Sequence, residues 1–394
     1  MSIFTKGVDE INELDLQELA DQKFSEWKTV EYKEKLSVGS EAERKKFLSQ
    51  VSSFANAAGG HLLYGVRATD GVPEEVVGME IANPDAEVLR LEEIARTGIR
   101  PRIPGLLMRA VTVKTDRVAI VIRVPKSWAR PHQVIFNGEF RFYSRASNGK
   151  YVIDVDELRS LFSLSESAAE RIRNFRADRL GQLIADETPI QMDENAKLVL
   201  HVVPLGAFDT AAKFDLATIK NETSLLMPMR TGGGWSGARH NFDGLYTHAD
   251  HKGLSYSYVQ VFRNGIVEMV NSSLLDPNYD NRKIIPSVAY EDEVRQALKR
   301  CLEIEKKLGA EPPFVIMLSL LGVKDYVMAV SQRRSFNDGH PIDRDMLVVP
   351  ESLIEIFEAP TDKTLRPILD VVWNAAGWPG TINFDEEDNW KPHE

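Results

Sequence analysis

Apolar positions recur at helical spacing between residues 8 and 25, with acidic residues between them, which predicts a short amphipathic helix. Residues 26–34 read as a strand, and the two-residue period of a strand places Glu31 and Lys33 on one face. A second helix is predicted over 41–58, with Phe47, Leu48, Val51 and Phe54 along one side. It ends in Gly59-Gly60, where glycine relieves the steric cost of positive φ, and runs straight into an apolar strand over 61–66. Asp70-Gly71 marks a turn. Beyond it the pattern predicts a helix over 84–97 with Val88, Leu91 and Ile94 inward, then a hairpin of 106–114 and 117–124 around Thr115-Asp116. Arg141-Phe142-Tyr143-Ser144 forms a strand behind an Asn137-Gly138 turn, and a long, charge-rich helix runs from Asp154 to about residue 185.

The second half opens with a strand at 197–203 and carries a period-two hairpin of 259–262 and 266–270 around Arg263-Asn264-Gly265. A helix is predicted over 290–308, two strands at 314–321 and 326–330 are expected to pair around Val323-Lys324-Asp325, and a closing helix covers 365–376. The resulting organisation is α+β: an N-terminal helix over 1–23, a first domain over 24–165 and a helical linker over 166–190 with its break at Glu187-Thr188-Pro189. A second α+β domain follows over 191–382, then an acidic tail over 383–394 that is expected to be mobile.

A length of 394 residues suits two or three domains, and the 43% apolar and 27% charged content is that of ordinary globular protein. No apolar run reaches the roughly 18–20 residues needed to cross a bilayer, and the first residues lack the apolar core of a signal peptide. Cys301 is the single cysteine, so neither an intrachain disulfide nor a cysteine zinc site is available. These features lead one to expect a cytoplasmic protein without a membrane partner. The net charge of −11 argues superficially against nucleic acid, but the distribution reverses that. Residues 95–150 carry twelve Lys or Arg against only Asp116 and Glu139. Local potential governs phosphate affinity through counterion release, so this segment is the expected nucleic-acid contact. Arg100, Arg102, Arg123, Lys126, Arg130, Arg141 and Arg145 are the candidate phosphate contacts. Trp128, Phe142 and Tyr143 interleave with them as candidate stacking faces, although strand alternation buries Phe142 while Arg141 and Tyr143 face out.

A carboxylate and an ammonium on one strand face is the arrangement with which a metal-dependent nuclease holds a divalent ion and orients a phosphate. Glu26 is the second acidic candidate. A five-residue offset sets Glu26 and Glu31 about 140° apart on a helix and on opposite faces of a straight strand, so they share an ion only if Trp27-Lys28-Thr29 turns the chain. With Glu26 before it, the segment Val30-Glu31-Tyr32-Lys33 precedes Phe54-Ala55-Asn56-Ala57-Ala58-Gly59-Gly60-His61-Leu62-Leu63-Tyr64-Gly65-Val66. Val77-Gly78 and Val124-Pro125 with Ser127 come after it. Together these strings resemble the Schlafen/AlbA_2 family of nucleic-acid-binding domains over residues 24–165. The resemblance implies that Glu26 and Glu31, with an aspartate after the Gly-Val strand, hold catalytic Mg²⁺ or Mn²⁺ while Lys33 steadies the phosphate. Here Arg67-Ala68 occupies the family's acidic position, and the nearest aspartate is Asp70. The family also contains members that bind without cleaving, and bacterial ones often serve in defence or regulation. The resemblance therefore implies a nucleic-acid-binding protein acting on tRNA, single-stranded or duplex DNA, and self-association into a homo-oligomer. RNA or single-stranded DNA is the favoured target, with metal-dependent endonuclease activity as an extension. The alternative is a non-catalytic DNA-binding regulator whose C-terminal domain senses a ligand or a protein partner.

Two further motifs carry weaker signals. His248-x-Asp250-His251, with His240 and Asp243 nearby, has the ingredients of a metal site but lies in a polar stretch where exposed histidines are common. The glycine-rich run at 231–237 lacks the lysine and hydroxyl that a phosphate-binding loop places after its last glycine, so an ordinary loop is expected.

Overall fold

The computed structural model describes residues 3, 6–114, 116–127, 129–146, 149–208, 213–232, 234–251, 253–275, 283–330, 339–357 and 359–392, with backbone alone at 164–168. Trp128, Thr115 and Gly233 thus lie outside the described residues. The chain divides into two compact units, residues 1–169 and 170–394.

Among the described residues, the first unit contains ten strands: β1 Val30–Lys33, β2 Gly60–Tyr64, β3 Val66–Thr69, β4 Val72–Val76, β5 Ile99–Arg100, β6 Leu107–Lys114, β7 Arg117–Val124, β8 Gln133–Phe136, β9 Glu139–Ala146 and β10 Gly149–Val152. Helices α1 (Glu13–Asp21), α2 (Glu41–Asn56) and α3 (Pro84–Gly98) accompany them, and α4 (Val155–Ile184) begins here. One sheet runs in the order β1-β2-β7-β6, with β1 parallel to β2, and a second, antiparallel sheet runs β10-β9-β8-β5. The β3–β4 hairpin turns at Asp70-Gly71 as expected, with φ of 49° and 75°.

Helix α2 lies at the centre of this unit. Ser40 and Glu43 cap its start reciprocally: the Glu43 amide donates to Ser40 Oγ, and the Ser40 amide to Glu43 Oε2. Its apolar side, Phe47, Leu48, Val51 and Phe54, packs with Leu62, Tyr64, Ile120 and Ile122 of the first sheet and with Ile99 and Val134 of the second. The opposite face of the first sheet buries Val30, Tyr32, Leu63 and Val121 against Leu16 and Leu19 of α1. Asn56 at the end of α2 is 2% exposed, and its Nδ2 donates to the carbonyls of His132 (2.9 Å) and Tyr143 (2.8 Å) while its Oδ1 accepts the His132 amide at 2.7 Å. One buried amide therefore ties the helix to the second sheet. The following glycines are required by space as well as by φ. A Cβ at Gly60 would stand 2.2 Å from the Thr29 carbonyl oxygen, and one at Gly59 2.4 Å from the Lys126 nitrogen.

The second unit is built on an eight-stranded sheet, from β11 Lys197–Pro204, β12 Arg239–His240, β13 Gly244–His251, β14 Leu254–Phe262, β15 Val267–Asn271, β17 Phe314–Leu321, β19 Met346–Val348 and β20 Ser352–Ile354. Its path is β12-β13-β14-β15-β11-β17-β19, with β20 also on β17. Helices α5 (Ser287–Leu308) and α6 (Thr361–Ala375) share the largest core cluster with this sheet. The segment read as a linker is structured: Ile172, Leu180 and Leu183 of α4 are buried with sheet residues, and the Arg176 guanidinium donates to the carbonyls of Leu318 and Val349. The expected pairing of 314–321 with 326–330 does not form. Strand β18 (Val327–Ala329) instead lies parallel to β16 (Ile284–Pro286), because β11, β19 and β20 already occupy the hydrogen-bonding edges of β17. The acidic tail folds back as well. The Trp390 indole donates to Glu291 Oε2 at 3.0 Å, and the Arg295 guanidinium sits 4.2 Å from the ring centroid.

Candidate nucleic-acid interface

Only the second half of the expected strand at 26–34 is extended. Trp27 and Val30 exchange backbone hydrogen bonds of 3.2 and 3.0 Å, closing a tight turn that folds Glu26 back beside β1. Glu26 Oε1 accepts the Tyr32 amide at 2.7 Å, and the Glu26 amide donates to the Gly71 carbonyl at 2.6 Å. The turn brings Glu26 and Glu31 to a common neighbour, with Lys33 Nζ 2.8 Å from Glu31 Oε1 and 3.8 Å from Glu26 Oε1. The Asp70-Gly71 turn is thus attached to Glu26 through backbone, and the Asp70 side chain is exposed.

Glu31 and Lys33 point to the α2 side of their sheet, because Val30 and Tyr32 fill the core on the α1 side. There Glu31 meets α2 and the second sheet. Its Oε1 accepts from Gln50 Nε2 at 2.6 Å, and its Oε2 from the Arg145 guanidinium at 3.0 Å. Burial pushes the Glu31 carboxyl up, but Lys33, Arg145 and Gln50 together outweigh it and hold the group below the usual carboxylate range. Lys150, on the edge strand β10, donates from Nζ to Ser49 Oγ and to the Lys46 carbonyl. Desolvation lowers its proton affinity, the Glu31 charge opposes that, and the neighbouring charges of Lys46, Lys33 and Arg145 lower it further. Four cations from four elements therefore gather around Glu31 and Glu26, and Lys46 and Lys150 are exposed.

The structure separates the other basic candidates by task. Arg145 is not an open phosphate contact: its side chain is 6% exposed, paired to Glu31 and lying 3.6 Å from the Phe54 ring centroid. Arg123 is turned inward to His61 Nε2 and to the carbonyls of Ile3 and Lys6, while burial, with the Arg123 charge beside it, lowers the His61 pKa to about 3. Arg130 donates to the Asn56 and Ala57 carbonyls at the end of α2, and Arg100 to the Arg96 carbonyl at the end of α3. Arg141 pairs with Glu139 at 3.2 Å, Arg102 is exposed, and Lys126 is half-buried. Tyr143 and Phe142 exchange the faces expected of them. Tyr143 packs beside the α2 core, with Lys150 Nζ 5.9 Å from its ring centroid, whereas Phe142 turns to the outer face of the sheet.

Sequence reasoning missed Lys46, Gln50 and Lys150 as members of this cluster. The available signal was Lys46-x2-Ser49-Gln50, a polar helix edge beside the buried positions 47, 48 and 51. Among the described residues, no group of three or more His, Cys, Asp or Glu side chains is placed to hold a metal ion, including at His248-x-Asp250-His251. As arranged, the donor set at Glu31 does not fit a resident divalent ion. Both carboxylate oxygens already accept from cations or an amide, and a metal there would meet the charges of Lys33 and Arg145 at contact distance.

Fold and cluster define a two-sheet α+β domain with a helix between its sheets and a cationic cluster at their junction. Residues 26–154 match the family model described as Schlafen, AlbA_2, so over that stretch the chain carries a domain of this nucleic-acid-binding-associated family. Among solved structures the chain is similar to the DIP2311 protein from Corynebacterium diphtheriae, with 19% identity and a TM-score of 0.23, covering 32% of this chain and 22% of that one. It is also similar to the N-terminal domain of a putative ATP-dependent DNA helicase RecG-related protein from Nitrosomonas europaea, with 20% identity and a TM-score of 0.26, covering 34% of this chain and 88% of that one. No curated protein matches. No described helix is long and apolar enough to cross a membrane.

Proposed function

We infer that the first unit binds nucleic acid, preferring RNA or single-stranded DNA, by seating backbone phosphate against Lys33, Lys46 and Lys150, with Arg145 fixed behind them on Glu31. The observation that carries this reading is the surplus of positive charge around Glu31, drawn from β1, α2 and the β9–β10 hairpin. Glu31 and Gln50 hold Lys33 and Arg145 in place, so the cluster is ordered before a phosphate arrives and little side-chain entropy is lost on binding. Binding requires no metal in this arrangement.

Titration of labelled single strands and duplexes in EDTA, at several salt concentrations, tests it. Lys46→Ala with Lys150→Ala should weaken binding about tenfold or more and flatten the salt dependence by roughly one logarithmic unit per lysine that contacts phosphate. An unchanged affinity and slope would sink this reading. A parallel incubation in Mn²⁺ addresses cleavage: product that disappears in Glu31→Ala would replace passive binding with metal-dependent hydrolysis.

A further inference from the structure

The second sheet of the first unit has an inner face against α2 and an outer face. Cross-strand register assigns Arg100 of β5, Gln133 and Ile135 of β8, Phe140 and Phe142 of β9 and Tyr151 of β10 to the outer face. The assignment is fixed by their neighbours Ile99 and Val134, which are 1% and 2% exposed in the α2 core. On the outer face Phe140 is 61% exposed and Tyr151 41% exposed, whereas Phe142 is half-buried, with the Phe162 ring of α4 edge-on at 6.5 Å. The Tyr151 hydroxyl donates to Glu157 Oε1 at 2.9 Å, which fixes the phenol at its far end.

We propose that this outer face is a stacking platform for unpaired bases of the strand whose phosphates contact the cationic cluster. This inference rests on the nucleic-acid reading and narrows it to single strands. Two features favour a nucleic-acid strand over a protein as the occupant. The exposed large apolar side chains of the outer face, Phe140 and Tyr151, are aromatic rings accompanied by an arginine and an amide, a set that offers π-faces and donors to bases. The platform is also continuous with the cluster through the edge strand β10, where consecutive residues Lys150 and Tyr151 project to opposite faces. A strand crossing that edge places phosphate on one side and base on the other. Phe140 and Tyr151, the exposed rings on neighbouring strands β9 and β10, each present a separate seat. A duplex keeps its bases stacked internally and cannot use either.

The experiment compares the full chain with Phe140→Leu, Tyr151→Leu and the double variant, using labelled oligo(U), oligo(dT) and a blunt duplex in EDTA. Leucine keeps apolar bulk at these exposed positions, and circular dichroism verifies the fold. Single-strand affinity should fall on the order of tenfold per ring, with duplex affinity and salt slope unchanged, since neither ring contacts phosphate. Single-strand binding that survives the double variant, while Lys46→Ala with Lys150→Ala abolishes it, overturns the platform and leaves the cationic cluster standing. Failure of the wild-type chain to bind any of the three probes overturns both. A shift in sedimentation with unchanged nucleic-acid affinity also overturns the proposal and makes the face a contact between copies of this chain.

Discussion

Two carboxylates, Glu31 in the first unit and Glu268 in the second, are bonded by similar groups and yet serve different ends. Glu268 is sealed: both its oxygens accept from Arg179, at 2.8 and 2.9 Å, and it also binds His201 Nε2 and the Tyr258 hydroxyl, each at 2.8 Å. Its side chain is 0% exposed and that of Arg179 is 8% exposed. Burial pushes the Glu268 carboxyl up, but hydrogen bonds and charge from His201 and Arg179 hold it down to about 2. Glu31 is 16% exposed and sits among more cations than it can neutralise. A balanced, closed ion pair serves the fold. On the proposed reading, a cluster with surplus positive charge has an unmet electrostatic demand that a phosphate would satisfy.

The largest expected effect lies on the sealed side. Glu268→Gln removes the charge opposite a buried guanidinium, and breaking a buried pair in this way costs about 3–5 kcal/mol. Denaturant unfolding should show that loss, whereas Glu31→Gln should cost less, because the partly exposed Lys33 can draw on water and the Gln amide oxygen still offers the buried Arg145 an acceptor. Acid unfolding sharpens the contrast. The Glu268 carboxyl titrates at about 2 in the folded state against about 4.5 when unfolded. Its contribution, about 3 kcal/mol, is therefore complete above pH 4.5 and lost as pH falls towards 2. An acid limb that is unchanged in Glu268→Gln would break the comparison.

A third carboxyl gives the opposite sign. Glu305 of α5 is fully buried, and neither of its oxygens has a hydrogen-bond partner among the described residues. Burial raises its pKa well above the usual carboxylate range and so favours the neutral acid. A raised folded-state pKa makes its contribution complete below about pH 4.5 and lost as pH climbs. Glu305→Leu should stabilise the second unit by about 1–3 kcal/mol at neutral pH and abolish that upward loss, as read by unfolding at pH 5 and pH 8. A destabilised variant would mean that the carboxyl has a role apolar bulk cannot replace.

Much of the first unit could be read from the chain because its signals are local. The one-sided helix, Gly59-Gly60 and the Asn137-Gly138 turn each fix backbone within a few residues. The family strings extended that reading to Glu26, Glu31 and Lys33, and the turn at Trp27-Lys28-Thr29 that they require is present. What escaped was long-range. Arg123, Arg130 and Arg145 lie in one basic segment, but charge counting cannot show that they turn inward to backbone carbonyls and to Glu31. Period two assigns Phe142 and Tyr143 to opposite faces of β9 without saying which face meets α2; the contacts of Asn56 and Phe54 decide that. The same limit misplaced β18, since strands 314–321 and 326–330 are near neighbours in sequence while β17 finds its partners far away.

A smaller effect tests the open side of the comparison directly. Glu31→Gln keeps a hydrogen-bonding group in the same place while removing one negative charge from among four cations. A unit charge a few ångströms from a phosphate in water is worth on the order of 1 kcal/mol. Phosphate affinity should therefore rise about three- to tenfold, with a steeper salt dependence, in the titration that reads Lys46 and Lys150. Weaker binding would show that Glu31 positions the cations more than it offsets them.

The smallest expected effect concerns Asp70. Its φ of 49° is a conformation that Asn tolerates as well as Asp, so Asp70→Asn leaves the β3–β4 turn intact. The side chain is exposed, and the turn that carries it meets Glu26 through the Gly71 carbonyl on the Glu26 amide. Stability should then change by less than about 0.5 kcal/mol. Nucleic-acid affinity in EDTA should remain within about twofold, a shift below 0.5 kcal/mol. The informative arm is Mn²⁺. If the cluster only binds, wild type and Asp70→Asn leave the strand intact alike. Metal-dependent cleavage in the wild type that vanishes in Asp70→Asn would make the exposed carboxylate a participant in the chemistry. It would also require Glu31 to exchange its bonds with Lys33 and Arg145 for an ion, turning the open member of the pair from a charge balance into a ligand.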